Sequence, residues 1–290
     1  MQHDMTPNIL AKHGAMALPT EPSVYIASLS ACLQLGFIPS DAECVASAWQ
    51  AQSDRLGSSL YWPDSPADFG LRPWPRADAF ASCLRQLGLY AVLPDGAWVG
   101  RMARAGVPTV QLRFKSDDAA AVQREVRAAV AAVQGTPALL FINDHWQAAI
   151  DAGAYGVHLG QEDLDLLQPA ELDAIRQAGL RLGVSTHGYA EMLRADRVSP
   201  SYIALGAVFP TTLKKMATAP QGTARLAAYA RLLRDYPLVA IGGIDTERLG
   251  AVLASGVGSV AVVRALTAAA DPERAAAELR RSIHGYLGLA

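Results

Sequence analysis

No stretch of the sequence is apolar for long enough to span a bilayer. The first residues also lack the basic region and apolar core of a signal peptide. Neither positive nor negative charge is in large excess, since the formal net charge is only −2 at pH 7. A chain with these absences is not expected to bind a membrane or a nucleic acid.

Cysteine is almost absent. The chain has three, at Cys32, Cys44 and Cys83, all in its first third. An odd number without metal-ligand spacing predicts neither a disulfide framework nor a zinc site. We therefore expect a protein of the reducing cytoplasm.

What the sequence does have is apolar content, 51% of 290 residues, which is enough for a sizeable core. Residues 1–80 are predicted to form an N-terminal extension, with helices at 24–35 and 41–55 and a proline-rich connector at 62–76. Residues 81–290 are predicted to form a second, larger domain. Short apolar runs alternate there with amphipathic stretches.

The apolar runs have the length of buried parallel strands. They lie at 89–93, 109–112, 138–142, 156–159, 182–184, 202–205, 238–241 and 259–263. Helical patterns between and after them lie at 118–133, 169–178, 223–234, 245–254 and 272–286. Eight β-then-α units in about 200 residues predict an α/β fold, the (β/α)₈ TIM barrel, with a small N-terminal helical extension.

Polar residues follow two neighbouring strands of this barrel. Asn143 and Asp144 come after the third strand, and Gln161 and Asp163 come after the fourth. The carboxyl ends of barrel strands share one rim, so the two carboxylates are expected to meet there and could hold Mg²⁺ together with substrate phosphates. The alternative is that these residues cap helices or form turns.

A basic cluster is predicted beside them. Alternation places Gln111, Arg113 and Lys115 on one face of the second strand, where the two cations could grip a phosphate. The alternative is a solvated strand end. Ser185, after the fifth strand, could donate to a heteroaromatic ring or cap the next helix.

The last three strands predict a further anion site. A long loop after strand six carries Lys214, strand seven ends in Gly242 and Gly243, and strand eight is followed by Arg264. Glycines at this position let backbone N–H groups approach a phosphate, and phosphate sites after strands seven and eight are frequent in this fold. Two anion sites and a carboxylate pair indicate two phosphorylated substrates, one of which needs a metal.

Several segments together closely resemble the thiamine-phosphate synthase family. They are QLRFK at 111–115, IND at 142–144, GVHLGQED at 156–163, GVSTH at 183–187, FPT at 209–211, QG at 221–222 and IGGI at 241–244. The resemblance runs from about residue 88 to the end of the chain. It implies a cytoplasmic transferase of thiamine biosynthesis, with Mg²⁺ as cofactor and two small-molecule substrates, and it leaves a homo-oligomer open.

The implied reaction condenses 4-amino-2-methyl-5-hydroxymethylpyrimidine pyrophosphate with 4-methyl-5-(2-phosphoethyl)thiazole, or its carboxylated form. The products are thiamine phosphate and pyrophosphate. The resemblance assigns Mg²⁺ to Asp144 and Asp163, and the pyrimidine pyrophosphate to Gln111, Arg113, Lys115, Asn143, Ser185 and Lys214. It assigns the thiazole phosphate to Thr211, Thr212, Leu213, Gly243, Val263 and Arg264. Within these sets, Arg113, Lys115, Ser185 and Lys214 are the expected catalytic residues.

Two positions depart from the family pattern. Leu213 stands where the loop usually has a threonine, and Arg264 stands where strand eight usually ends in serine. Both would touch the thiazole phosphate, and the pyrophosphate side keeps the family pattern.

The extension carries a weaker resemblance. Residues 27–36 and the helix after them look like the last helices of hydroxymethylpyrimidine phosphate kinase, without the glycine-rich anion loop and catalytic acid that should precede them. A kinase remnant without kinase activity is expected, and the alternative is an unrelated helical extension.

Two other functions remain open. One is a thiazole tautomerase of the same barrel family, and the other is a non-catalytic regulatory paralogue that binds thiamine phosphates. Retention of Arg113, Lys115, Asp144 and Asp163 argues against the tautomerase, because that chemistry needs no metal pyrophosphate clamp.

Overall fold

The computed structural model describes residues 23–57, 61–211 and 218–288. The strands are β1 (Gly88–Leu93), β2 (Thr109–Leu112), β3 (Leu139–Asn143), β4 (Gly156–Leu159), β5 (Arg181–Thr186), β6 (Tyr202–Leu205), β7 (Leu238–Ile241) and β8 (Ser259–Val262). The helices are α1 (Val24–Gln34), α2 (Pro39–Leu56), α3 (Gly96–Arg104), α4 (Ala119–Val133), α5 (Trp146–Ala152), α6 (Gln161–Leu166), α7 (Pro169–Gln177), α8 (Tyr189–Arg197), α9 (Gly222–Leu232), α10 (Thr246–Leu253), α11 (Arg264–Thr267) and α12 (Pro272–Leu287).

The eight strands form a closed parallel barrel in chain order, and β1 pairs with β8 to complete it. The predicted TIM barrel with an N-terminal helical extension is confirmed. Every strand lies within two residues of the run that predicted it, because each apolar run is buried on both faces, as the pattern required. Among the described residues, no helix has both the length and the apolar character needed to cross a membrane.

Aromatic rings fill the lower part of the barrel. Phe141 of β3 and Tyr202 of β6 are fully buried there, with their ring centroids 5.2 Å apart and edge to face. Two glycines make room for them. A Cβ on Gly156 would lie 2.5 Å from the Phe141 ring, and one on Gly183 would lie 2.1 Å from the Tyr202 ring. These rings form the floor of the barrel, below the carboxyl ends of the strands.

The described residues divide into two compact units. The first comprises the chain up to Pro73 together with Gly188–Arg197, the connection that carries α8. The second comprises Trp74–His187 and Val198–Ala290 and contains all eight strands. The predicted boundary near residue 80 stays a prediction.

Within the first unit, α1 packs against α2, and α2 packs against α8. Tyr189 of α8 stacks on Phe69 at a centroid distance of 5.2 Å, and its hydroxyl accepts a hydrogen bond of 3.2 Å from Trp62 Nε1. The buried Asp41 of α2 accepts a hydrogen bond of 2.8 Å from the backbone N–H of Ala190. The extension is therefore joined to α8 by ring packing and by a charged hydrogen bond.

Substitution of Gly156 by alanine tests the glycine requirement of the floor. The new methyl group would overlap both the Phe141 ring and the backbone oxygen of Arg181, 2.6 Å away. We expect a loss of about 1–3 kcal/mol in the free energy of unfolding, measured by chemical denaturation.

Gly285→Ala is the matched control, since a Cβ on this α12 residue meets nothing within 4 Å. It should leave stability unchanged or raise it by up to about 1 kcal/mol, because alanine favours the helix. Equal stabilities of the two variants would contradict the packing account.

Candidate active site

A cavity of about 810 Å³ lies at the carboxyl ends of the barrel strands. Eleven of the predicted site residues line it: Gln111, Arg113, Lys115, Asn143, Asp144, Asp163, Ser185, Thr211, Gly243, Val263 and Arg264. Three others, Thr212, Leu213 and Lys214, lie outside the described residues. The barrel thus brings together residues from seven of its strands, β2 to β8, and the loops after them.

Two carboxylates meet at the rim between β3 and β4. Asp163 Oδ2 accepts a hydrogen bond of 2.8 Å from the backbone N–H of Gly160, at the start of α6. Burial raises the pKa of Asp163; the Gly160 N–H opposes this shift, and the charge of the neighbouring Asp144 adds to it. The Asp163 carboxylate therefore loses hydration and lies close to a second negative charge.

Asp144 is held in an unusual backbone conformation. Its φ is 64°, in the left-handed region that costs an ordinary L-residue about 1–2 kcal/mol. The interpretation of Asp144 as a helix cap is wrong, because the N-cap of α5 is His145, which makes no side-chain cap bond. The carboxylate of Asp144 instead forms an ion pair with Lys115. For Asp163 the cap interpretation is correct, and the same residue also lines the cavity.

The donor set fits a hard divalent cation that is shared with a substrate. Carboxylate oxygens are the ligands such ions prefer, and Mg²⁺ is commonly held by one or two carboxylates plus substrate phosphates. Within the described ranges, no group of three or more His, Cys, Asp or Glu residues is arranged to hold a metal. Asp144 and Asp163 could thus supply only some of the ligands of a magnesium ion, which leaves other coordination positions for a phosphate.

The basic side chains of β2 lie next to this pair. Arg113 and Lys115 follow the end of β2, and both line the cavity together with Gln111 of that strand. Gln111 itself is only 4% exposed. The arrangement presents two cations to an anionic ligand beside a carboxylate pair.

The glycine loop after β7 forms the opposite wall. Gly243 has a φ of 63°, and a Cβ there would lie 2.6 Å from the backbone oxygen of Pro210. The loop therefore needs glycine both for its conformation and for its close approach to the loop after β6. Arg264 is exposed, begins α11 and lines the same cavity.

One cationic residue of this wall was missed by sequence reasoning. Arg248 of α10 lines the cavity, donates a hydrogen bond of 2.7 Å to the backbone oxygen of Gly243 and lies over the Phe209 ring at 4.9 Å. Its position three residues after the N-cap Asp245 was the available signal, since it places the side chain on the first turn of a helix at the rim.

A chain of hydrogen bonds crosses the barrel below the cavity. Gln111 Nε2 donates to the Tyr90 hydroxyl over 2.9 Å, and the Tyr90 and Tyr202 hydroxyls are 2.8 Å apart. Tyr202 then lies 2.7 Å from His158 Nδ1, and His158 Nε2 lies 2.7 Å from Ser185 Oγ. Burial lowers the pKa of His158 to about 4, so its ring is neutral. Sequence reasoning gave no role to Tyr90, Tyr202 or His158.

Comparison with known proteins agrees with this geometry. Residues 91–266 match the family model described as thiamine monophosphate synthase, which is more than half of the chain. The thiamine-phosphate synthase of Neisseria meningitidis serogroup B is 58% identical over 187 residues, covering 64% of this chain and 90% of the relative. The thiamine-phosphate synthase of Yersinia pestis strain Pestoides F is 52% identical over 206 residues, covering 71% of this chain and 94% of that relative.

The chain belongs to the thiamine-phosphate synthase family. The enzyme is accordingly a transferase of thiamine biosynthesis that acts on small molecules. The chain also superposes on a solved structure, the thiamine phosphate pyrophosphorylase from Pyrococcus furiosus, with a TM-score of 0.63 and 28% sequence identity. The match covers 71% of this chain and 100% of the Pyrococcus furiosus chain. The family model begins at Ala91, so the N-terminal extension lies outside the match.

Proposed function

We propose that the enzyme joins 4-amino-2-methyl-5-hydroxymethylpyrimidine pyrophosphate to 4-methyl-5-(2-phosphoethyl)thiazole, or to its carboxylated form, and releases thiamine phosphate and pyrophosphate. The observation that carries this proposal is the placement of the carboxylate pair, the β2 cations and the glycine loop around a single cavity. Identity of 52–58% to named synthases supports the same reaction.

The pyrophosphate belongs between β2 and the carboxylate pair. Arg113 can hold phosphate oxygens with two parallel N–H donors, and Lys115 adds a compact charge. Asp144 and Asp163 would hold Mg²⁺ against the same group. When bound, the ion neutralises charge on the pyrophosphate and so makes it a better leaving group.

The thiazole phosphate belongs at the opposite wall. The backbone of Gly243 can approach a phosphate closely because no side chain intervenes. Arg264 supplies a guanidinium where the family pattern has serine, and Thr211 lies at the same mouth. Asn143 and Ser185 also line the cavity, and the pyrimidine ring is proposed to lie beside them.

The reaction then needs no protein nucleophile. The bond between the pyrimidine methylene carbon and the pyrophosphate oxygen breaks, and its electron pair leaves with pyrophosphate. The thiazole nitrogen donates its lone pair to that carbon and forms the new C–N bond. Arg113 and Lys115 stabilise the departing charge, while the cavity walls hold the two rings in line. Lys214, outside the described residues, is proposed for the same role by family resemblance.

No observation favours the two other functions. A tautomerase would not need the carboxylate pair and the paired cations that a metal ion and a pyrophosphate require. The cytoplasmic location, the kinase ancestry of the extension and any homo-oligomer stay predictions.

Product formation tests the proposal. Purified enzyme mixed with both substrates and Mg²⁺ should form thiamine phosphate and pyrophosphate in equal amounts, measured by chromatography. Isomerisation of the thiazole without any product would instead indicate a tautomerase.

The carboxylates can be tested in the same assay. Asp144→Asn and Asp163→Asn should each lower kcat/KM at least about 10- to 100-fold, since a lost charged contact costs about 1.5–3 kcal/mol and a metal ligand more. Neither variant should lower the free energy of unfolding substantially, because each removes repulsion between two adjacent carboxylates.

Asp151→Asn on α5 is the matched control, since this exposed carboxylate is outside the cavity. It should leave kcat/KM unchanged. Wild-type turnover of either rim variant without added Mg²⁺ would refute the metal assignment.

Arg264 provides a separate test of the thiazole phosphate site. Arg264→Ser should raise the KM for thiazole phosphate about 10- to 100-fold, the effect of losing a charge-assisted hydrogen bond of about 1.5–3 kcal/mol. The KM for the pyrimidine pyrophosphate should stay the same, because that substrate contacts β2 instead. An unchanged thiazole phosphate KM would show that the backbone alone binds this phosphate.

A further inference from the structure

We propose that Asp41 of the N-terminal extension is a positioning residue of the active site. Its carboxylate caps α8 from outside that helix and thereby fixes His187, which lines the cavity just before α8 begins. The extension then has a task in the synthase itself. This inference rests on the proposed function only where substrates are used to test it.

A glycine stands at the N-cap position of α8. Gly188 is the residue before Tyr189, with which the helix begins, and its backbone oxygen accepts a helical bond of 3.1 Å from the N–H of Met192. Glycine has no side chain that could accept a hydrogen bond from the N–H groups of the first turn. An N-cap acceptor for this helix must therefore come from another part of the chain.

Asp41 supplies that acceptor. Its Oδ1 accepts a hydrogen bond of 2.8 Å from the backbone N–H of Ala190, the second residue of α8. An N-cap side chain normally makes this bond, and here the acceptor is separated from the helix by 149 positions. Asp41 is only 3% exposed, so the bond is shielded from solvent, and its charge lies at the positive end of the helix dipole.

The space at this N-terminus admits only one of two side chains. A Cβ on Gly188 would overlap Asp41 Oδ2 and would lie 2.7 Å from Asp41 Cγ and Oδ1, the other two of its three nearest atoms. The φ of Gly188 is not positive, so its backbone alone would allow another residue. Glycine is needed here because the Asp41 carboxylate occupies the place of an N-cap side chain.

Aromatic packing holds the same end of the helix. Tyr189 is 2% exposed, stacks on Phe69 and has its ring centroid 6.0 Å from that of Phe37. Its hydroxyl accepts the hydrogen bond from Trp62 Nε1. All three partners belong to the extension, which therefore fixes both the backbone and the first side chain of α8.

The start of α8 is closely linked to the cavity. β5 ends at Thr186 and α8 begins at Tyr189, so only two residues join them. Thr186 is held in the barrel, where its Oγ1 donates over 3.0 Å to a backbone oxygen of β6. A link of two residues can absorb little displacement, since each residue spans at most about 3.6 Å. A shift of the helix start therefore passes to His187 and Ser185, both of which line the cavity.

The test exchanges the cap between the two positions. Asp41→Ala removes the carboxylate, Gly188→Ser adds a hydroxyl at the N-cap, and the double variant has the new cap together with the space it needs. We expect each single variant to lower kcat/KM for the pyrimidine pyrophosphate about 3- to 30-fold, the fold-change that corresponds to a lost N-cap. The double variant should recover most of this loss. The KM for thiazole phosphate should stay the same, because that substrate is proposed to bind at β7 and β8.

Amide hydrogen exchange tests the same coupling without substrate. Residues 185–192 should exchange about 3- to 30-fold faster in Asp41→Ala than in wild type, and at the wild-type rate in the double variant. Glu43→Ala is the matched control, because it removes an exposed carboxylate from the same helix α2. It should leave exchange and kinetics unchanged.

The two readouts separate failure of this inference from failure of the proposed function. If wild type forms no thiamine phosphate, the proposed reaction fails, and the exchange of residues 185–187 still decides the inference. Faster exchange confined to residues 188–192, with residues 185–187 and the kinetics unchanged, would show a purely structural cap and overturn the positioning role. An equal loss in the double variant and in Asp41→Ala would overturn it as well. If Asp41→Ala does not fold, as judged by thermal unfolding, folding of the double variant is the expected rescue, and failure of both to fold would contradict the inference.

Discussion

The site depends on the repulsion between two carboxylates at one edge of the barrel. Asp144 and Asp163 follow neighbouring strands, and burial together with their mutual charge raises the pKa of Asp163. Lys115 forms an ion pair with Asp144 and offsets part of this charge. Asp144 also has a left-handed backbone, a conformation that aspartate tolerates better than most residues. A cation that arrives with an anionic substrate relieves the repulsion, and the basic residues of β2 lie where that anion would be.

The upper cavity exists because the lower barrel is filled. Phe141 and Tyr202 occupy space that Gly156 and Gly183 leave free, and both rings are fully buried. Those hydroxyls form a polar surface inside an apolar core, and Gln111 and Ser185 complete it on either side.

Much of this arrangement could be predicted from the sequence, because it follows from short-range patterns. The eight apolar runs have the length of buried strands, and their carboxyl ends must share a rim, which is why Asp144 and Asp163 could be expected to meet. Tyr202 and His158 were missed because their partners are distant in the chain and are chosen by the barrel's closure. The cap interpretation of Asp144 failed because its positive φ, which turns the chain before α5, leaves no pattern in composition. Arg248 was missed because its contacts with Gly243 and Phe209 depend on how two loops pack.

The central claim is that the carboxylate pair binds a divalent cation jointly with pyrophosphate. Calorimetric titration of Mg²⁺ into the enzyme, with and without saturating pyrophosphate, measures this coupling directly. The account predicts that pyrophosphate raises the affinity for Mg²⁺ at least about 10-fold, that Mg²⁺ raises the affinity for pyrophosphate by the same factor, and that Asp163→Asn removes the coupling. Magnesium binding of equal strength with and without pyrophosphate, or coupling that survives in Asp163→Asn, would contradict it.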